Sequence, residues 1–385
     1  MTAFTAYTRE IDDVEAAVAE VLEQLNLEQN MRKNAVGIIS CYSEFVDSGV
    51  VAALCDALPF DVVGCTTIAN ATAGEVGFTM LNLVMLTGDD VFFSTAVSED
   101  LSDEQEKTLQ NAYDAALKGQ NGEVKLVMAY GPIINNVGGE RIVEMLDKAC
   151  GGTPIFGTLA MDHTEDYHLA QIIYNGESSR TKLSMLLISG DINPRFSVYA
   201  IPEEKVMHQK AVVTKSEGNV LIEVNNIPFL EYMGTLGLVA SDDSIEGLIT
   251  IPLMVDYNDG TTPVARAMYM ANENGHAVCG GKMPVGSTIS IGTLAYEDVV
   301  NSARAMSDEI LAINGGKLLL MYPCLSRSLV LGLDAEVELN TICSKMSGKI
   351  PYAVAYSGGE ICPVSNEDGD LVNRVHNFSL ISCLM

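Results

Sequence analysis

Apolar residues in this chain fall mostly in short unbroken runs, with polar residues gathered in the turns between them. Residues 81–86 read Leu-Asn-Leu-Val-Met-Leu, then Thr87-Gly88-Asp89-Asp90 precedes a second apolar run over 91–97. Residues 183–188 read Leu-Ser-Met-Leu-Leu-Ile, then Ser189-Gly190-Asp191 precedes another run over 196–200. Runs of this length bounded by Gly and Asp predict buried strands. Their matching order predicts an internal repeat. Val62-Val63-Gly64-Cys65-Thr66-Thr67 stands ahead of the first copy and Ile155-Phe156-Gly157-Thr158-Leu159-Ala160 ahead of the second. Before each lies a helical stretch, and before that an apolar strand over 36–40 or 125–129. The repeat therefore reads strand, helix, strand, strand, strand, over about 34–100 and 123–202.

A third, shorter copy has a strand over 318–322, a helix over 335–346, the Gly-bearing segment 352–360 and a closing run from 378. A fourth, worn copy over 226–310 would have strands at 265–270 and 288–294 and a helix at 295–313. The alternation of any α/β chain explains that segment equally well. At the N-terminus, Ile11, Val14, Val18, Val21 and Leu25 recur at helical spacing and predict an amphipathic helix. A hairpin over 211–215 and 220–224 turns on Ser216-Glu217-Gly218-Asn219, where Gly and Asn supply positive φ.

These elements predict an α/β chain of α+β character, with mixed, largely antiparallel sheets flanked by helices. Two pseudo-repetitive domains follow, 1–208 and 209–385, with no flexible linker between them. The strand-turn-strand pairs are too frequent for one doubly wound parallel sheet.

The 22 Lys and Arg against 51 Asp and Glu leave a formal charge of −29. Phosphate contacts by basic residues supply most nucleic-acid affinity, so nucleic acid and anionic lipid are disfavoured partners. No apolar stretch approaches the ~20 residues that span a bilayer, and the acidic N-terminus lacks the basic region of a signal peptide. The nine cysteines are scattered singly, which points to reduced thiols and a cytoplasmic location rather than a disulfide framework or a zinc site.

No G-x-G-x-x-G, G-x-x-x-x-G-K-[ST], G-x-S-x-G or H-E-x-x-H motif occurs, so the glycine-dependent phosphate cradle, the nucleophile elbow and the zincin helix have no signature here. The cluster 162–168, Asp-His-Thr-Glu-Asp-Tyr-His, could ligate a divalent ion but reads more simply as a charged hairpin tip. Better candidates stand at strand ends: Gly64, Cys65, Thr66 and Thr67; Gly157 and Thr158; Cys324 with Arg327; and Ser357, Gly358, Gly359 and Glu360. Arg327 and Glu360 would suit the carboxylate and ammonium of a zwitterion, or would pair with each other. Cys65 or Cys324 could serve as a nucleophile in an enzyme, although neither has a histidine nearby in sequence.

Val63-Gly64-Cys65-Thr66-Thr67 with Ala73-Gly74-Glu75, and Pro154-Ile155-Phe156-Gly157 with Tyr174-Asn175-Gly176, resemble the N-terminal half of the FIST family. The hairpin and turn over 219–228, Cys324-Leu325-Ser326-Arg327, the segment 351–361 and His376-Asn377 resemble its C-terminal half. The resemblance spans about 35–380. It implies a soluble, non-enzymatic sensory module that binds a small ligand, with amino acids proposed, and signals to a separate histidine kinase, cyclase or similar partner. Some relatives are haem proteins that sense nitric oxide. No cofactor is otherwise implied, and His276 and His376, both outside the acidic cluster, are the candidates to serve haem iron. Ser326 departs from the glycine that the family's Cys-x-Gly-Arg motif carries, and the chain has no recognisable output domain.

Overall fold

A computed structural model of the chain describes residues 1–133, 138–164, 166–238, 250–271, 274 and 276–385. Three copies of one unit surround a common core, and a fourth sheet is inserted into the third copy.

The first unit runs β1 (Thr2–Thr8), α1 (Val14–Leu25), α2 (Leu27–Asn30), β2 (Asn34–Cys41), α3 (Glu44–Asp47), α4 (Val50–Ala57), β3 (Val62–Thr66), β4 (Asn70–Thr72), β5 (Glu75–Gly77) and β6 (Leu81–Gly88). The second runs β7 (Val91–Val97), α5 (Gln105–Leu117), β8 (Val124–Gly131), α6 (Gly139–Cys150), β9 (Ile155–Leu159), β10 (Ile172–Tyr174), β11 (Glu177–Ser179) and β12 (Ser184–Gly190). The third opens with β13 (Arg195–Tyr199) and is then interrupted. The insert comprises β14 (Val206–Glu217), β15 (Val220–Val224), β16 (Ile227–Pro228), α7 (Phe229–Thr235), β17 (Leu253–Asp256), β18 (Val264–Arg266), β19 (Met268–Ala271), β20 (Ala277–Cys279) and β21 (Thr288–Gly292). The third unit then resumes with α8 (Tyr296–Ala312), β22 (Leu319–Pro323), α9 (Leu325–Leu331), α10 (Glu336–Met346), β23 (Tyr352–Ala355), β24 (Glu360–Ser365), β25 (Leu371–His376) and β26 (Leu380–Leu384).

The sheets follow one rule. Their orders are β1-β6-β2-β3-β10-β11, β7-β12-β8-β9-β24-β25 and β13-β26-β22-β23-β4-β5. Each unit keeps its edge strand, its parallel pair and its last strand, and gives its short hairpin to a neighbouring sheet. The parallel pairs are in matching register: Ile39 opposes Gly64, Ala129 opposes Gly157 and Met321 opposes Val354. The inner faces meet in one core, where Ile38, Met128, Tyr130, Leu320 and Tyr322 are at most 4% exposed. Separate cores lie under the helices on the outside of each sheet.

Gly64 and Gly157 recur for a steric reason. A Cβ on either would lie 1.8 Å from a backbone oxygen of the paired strand, that of Ile39 or Ala129, so only glycine lets the strands approach this closely.

Several expectations need amending. The N-terminal helix forms as α1, capped by the Asp13 side chain on Ala16 N, but an unforeseen strand, β1, precedes it and pairs with β6. The strand after the Thr-Gly-Asp turn does not fold back as a hairpin: β7 pairs with β12 of the next unit. The boundary expected near 208 falls inside β14, whereas the third unit begins at β13, which pairs with β26. Residues 226–310 do not form a fourth copy. They divide between the insert, whose sheet runs β18-β17-β21-β14-β15-β20-β19, and the first helix of the third unit. No helix among the described residues is long and apolar enough to cross a membrane.

The insert is fastened by a buried ion pair. Arg266 at the end of β18 donates to Glu140 on α6 at 2.5 Å, to Tyr257 Oη at 2.5 Å and to the Val375 carbonyl at 2.7 Å. Arg266 is fully buried and Glu140 nearly so.

Candidate functional site

The parallel strands of the second and third sheets end close together, and loops beyond such ends are where α/β proteins bind ligands. Thr158 lies in the last turn of β9, directly opposite Glu360 at the start of β24. Cys324 follows β22 and pairs across to Ser357 just beyond β23. The topology thus gathers Thr158, Cys324, Ser357, Gly358, Gly359 and Glu360 at one place. Thr158 Oγ1 donates to Ser357 Oγ at 2.6 Å, and Ser357 Oγ accepts Gly359 N–H at 3.1 Å. The backbones of Gly358 and Gly359 are tied to Leu159, which holds the segment against β9.

Glu360 is the centre of this cluster. It is fully buried, its Oε2 accepts the Ser379 hydroxyl at 2.8 Å, and its Oε1 has no hydrogen-bond partner among the described residues. Burial raises its pKa from about 4.5 to about 8, opposed by the Ser379 hydrogen bond and by the nearby polar groups of Cys324 and Ser357. Burial also raises the Cys324 thiol well above its usual range, and the charge of Glu360 adds to the rise. Tyr269 of β19 brings the insert to the site. The residue is 41% exposed, yet burial and the nearby Cys324, Tyr167 and Glu360 raise its pKa.

The backbone around the cluster is unusual. Tyr167 at φ 55° and Phe378 at φ 57° are the two aromatic residues in the left-handed region among the described residues. Bulky side chains rarely adopt that conformation, and such strain collects at functional sites. Phe378 lies directly before Ser379, and Tyr167 is close enough to Cys324 for the thiol to raise its own pKa.

Other expected site residues lie elsewhere. Gly64 and Cys65 lie inside β3, and Cys65 faces the common core at 3% exposure. Burial pushes its thiol up to about 12, the reverse of what a nucleophile needs. The Thr66 and Thr67 hydroxyls donate to the carbonyls of Gln171 and Tyr356, so they join the first unit to the other two. Gly157 serves strand packing. Arg327 pairs with Glu338 rather than with Glu360. A helix, α9, starts directly after Cys324, and its first turn carries Arg327 toward α8 and α10. There it pairs with Glu338 at 2.6 Å and donates to Ser302 Oγ at 2.7 Å and to the Val299 carbonyl at 3.1 Å. Both partners are fully buried.

His376 is 3% exposed, and its Nε2 donates to the Cys362 carbonyl at 2.9 Å, which leaves it poorly placed for haem iron. In the acidic cluster, Glu165 lies outside the described residues. Asp162 accepts from Thr164 with one carboxylate oxygen and from Leu169 N with the other. No group of three or more potential metal ligands occurs among the described residues. Ser379 and Tyr269 gave no sequence signal: one precedes an ordinary strand, and the other belongs to a segment without a repeat partner.

The family model for the FIST N domain matches residues 35–227, and that for the FIST C domain matches residues 229–363. The junction between them falls at β16, within the insert. No curated protein matches the sequence. Among solved structures, the chain is similar to a cyanuric acid hydrolase from A. caulinodans, with TM-score 0.38 and 10% sequence identity over 100% of this chain and 98% of that one.

Proposed function

The chain belongs to the FIST family of signal-transduction sensors, and from that premise we propose that it binds a small molecule around Glu360 and reports occupancy to a separate protein. The observation that carries this reading is the unpartnered Oε1 of a fully buried glutamate. Buried polar atoms are nearly always hydrogen-bonded, and an exception with a strongly raised pKa marks a functional site. Tyr269 supplies the route to a signal. It belongs to the insert, whereas Glu360, Thr158 and Cys324 belong to the core, so a ligand between them favours one placement of the insert over another. A ligand shifts such an equilibrium only through differential affinity for the two states. The partner would be a histidine kinase, a cyclase or a similar output protein, and the nine free cysteines suit a reducing cytoplasm.

The test is a thermal-shift screen of the purified protein against amino acids, small organic acids and haemin, repeated on Glu360→Gln. A ligand bound only by the folded state raises stability by about 2.7 kcal/mol at a hundredfold excess over its dissociation constant. A shift that disappears in the variant supports the site. An undiminished shift would place the ligand elsewhere.

A further inference from the structure

We propose that the ligand of this site is an organic cation bearing a primary amine, received by the Glu360 carboxyl. This assignment rests on the functional reading above and narrows it to one ligand class. Oε2 of Glu360 is occupied by Ser379, whereas Oε1 is buried and has no donor among the described residues. Once the carboxyl gives up its proton, Oε1 is therefore open to a donor from the ligand.

The surrounding charges narrow the choice further. Among the described residues, the side chains that bear on Glu360 and Cys324 are the hydroxyls of Thr158, Ser326, Ser357, Ser379, Tyr167 and Tyr269, all uncharged, with His376 directly across on β25. The neighbouring guanidiniums are ion-paired elsewhere, Arg327 with Glu338, Arg266 with Glu140 and Arg374 with Asp259, with Arg327 Nη1 and Arg374 Nε left without a partner among the described residues. A carboxylate or phosphate would find no positive partner here and would be repelled by Glu360 once that group ionises. An ammonium would complete Oε1 with a charge-assisted hydrogen bond and would lie beside two tyrosine rings of the kind that attract cations. The net charge of −29 draws cations toward the molecule.

Binding carries a proton balance. At neutral pH the free site holds Glu360 as a carboxylic acid. An alkylammonium ion entering it forms a carboxylate–ammonium pair and releases the carboxyl proton to solvent, with no covalent bond made or broken. The titratable groups that bear on Glu360 are Cys324 after β22, Tyr269 on β19 and His376 directly across on β25. Arg266 and Arg374 act on His376 in turn.

The experiment compares butylamine, butanol and butyrate at equal ionic strength on the full chain, by thermal shift and by calorimetry in buffers of different ionisation enthalpy. The expected result is a rise in melting temperature with butylamine alone and release of about one proton per amine bound at pH 7, fading above pH 9. Glu360→Gln should weaken amine binding at least tenfold. The proton count is made on the wild-type protein, so it decides the case even if the variant folds poorly. No response to butylamine, or binding without proton release at pH 7, would overturn the amine assignment. If butanol or butyrate then bound in a Glu360-dependent way, the site itself would stand. Butylamine binding undiminished in Glu360→Gln would overturn the amine assignment and the site together.

Discussion

Glu360 and His376 face each other across β24 and β25, and burial moves their pKa values in opposite directions. Burial raises Glu360 from about 4.5 to about 8. Burial lowers His376 from about 6.5 to about 4, assisted by Arg266 and Arg374 against the Cys362 carbonyl. The native state therefore favours neutral forms of both. The glutamate's contribution to stability is full below about pH 4.5 and is lost as pH rises to about 8. The histidine's is full above about 6.5 and is lost as pH falls toward 4. Between 4.5 and 6.5 they oppose each other, and above 6.5 the glutamate acts alone. Melting curves should show Glu360→Gln gaining on the wild type steadily from pH 4.5 to 8. A difference independent of pH would mean that the carboxyl titrates normally. Arg327 makes a separate case: Arg327→Ala should cost about 3–5 kcal/mol in denaturant unfolding, because it strands the Glu338 carboxylate in the core. It should leave Glu360-dependent ligand binding intact in the folded fraction, whereas loss of binding at full stability would return Arg327 to the site. That the small residues at strand ends, Thr158, Cys324 and Ser357 among them, would lie together was legible because the repeat places equivalent ends side by side. Arg327 was misplaced because nothing in Cys-Leu-Ser-Arg shows that a helix begins after the cysteine and turns the guanidinium away.

At the level of elements, the recurrence of Gly64 and Gly157 was the clearest repeat signal, and the structure gives it a physical cause. Gly64→Ala and Gly157→Ala should each destabilise by about 3 kcal/mol or more, because the paired backbone cannot retreat from a methyl group. Chemical denaturation measures this, and near-neutral values would mean that the strands can separate locally at little cost. Strand periodicity located most strands and both long C-terminal helices, α8 and α10. It could not assign partners, since period-two patterning says which faces are buried and not which neighbour buries them. The exchanged hairpins β4-β5, β10-β11 and β24-β25 were therefore invisible as exchanges.

For the molecule as a whole, the family boundary near residue 228 does not divide independent bodies. The first 228 residues retain β4-β5 without β23 to pair with, and the second sheet loses β24-β25. A chain ending at residue 228 should accordingly fail to unfold cooperatively and should expose apolar surface to a hydrophobic dye. A sharp, reversible melting transition from that fragment would show that the exchanged hairpins are dispensable. The four-sheet plan and the insert together explain why the cluster around Glu360 draws on the second unit, the insert and the third unit.

The exchange also sets an order in time for a newly made polypeptide. Thr72 pairs with Ala353, and Gly157 with Ile361. A ribosome that has produced both early units still holds a molecule with two unfinished edges, and exposed edges invite pairing with other chains. Domains usually fold as they emerge. Here the nascent chain must remain incomplete until its last segment is released, so chaperone capture during synthesis would protect it most between the making of the second unit and the arrival of β23 and β24.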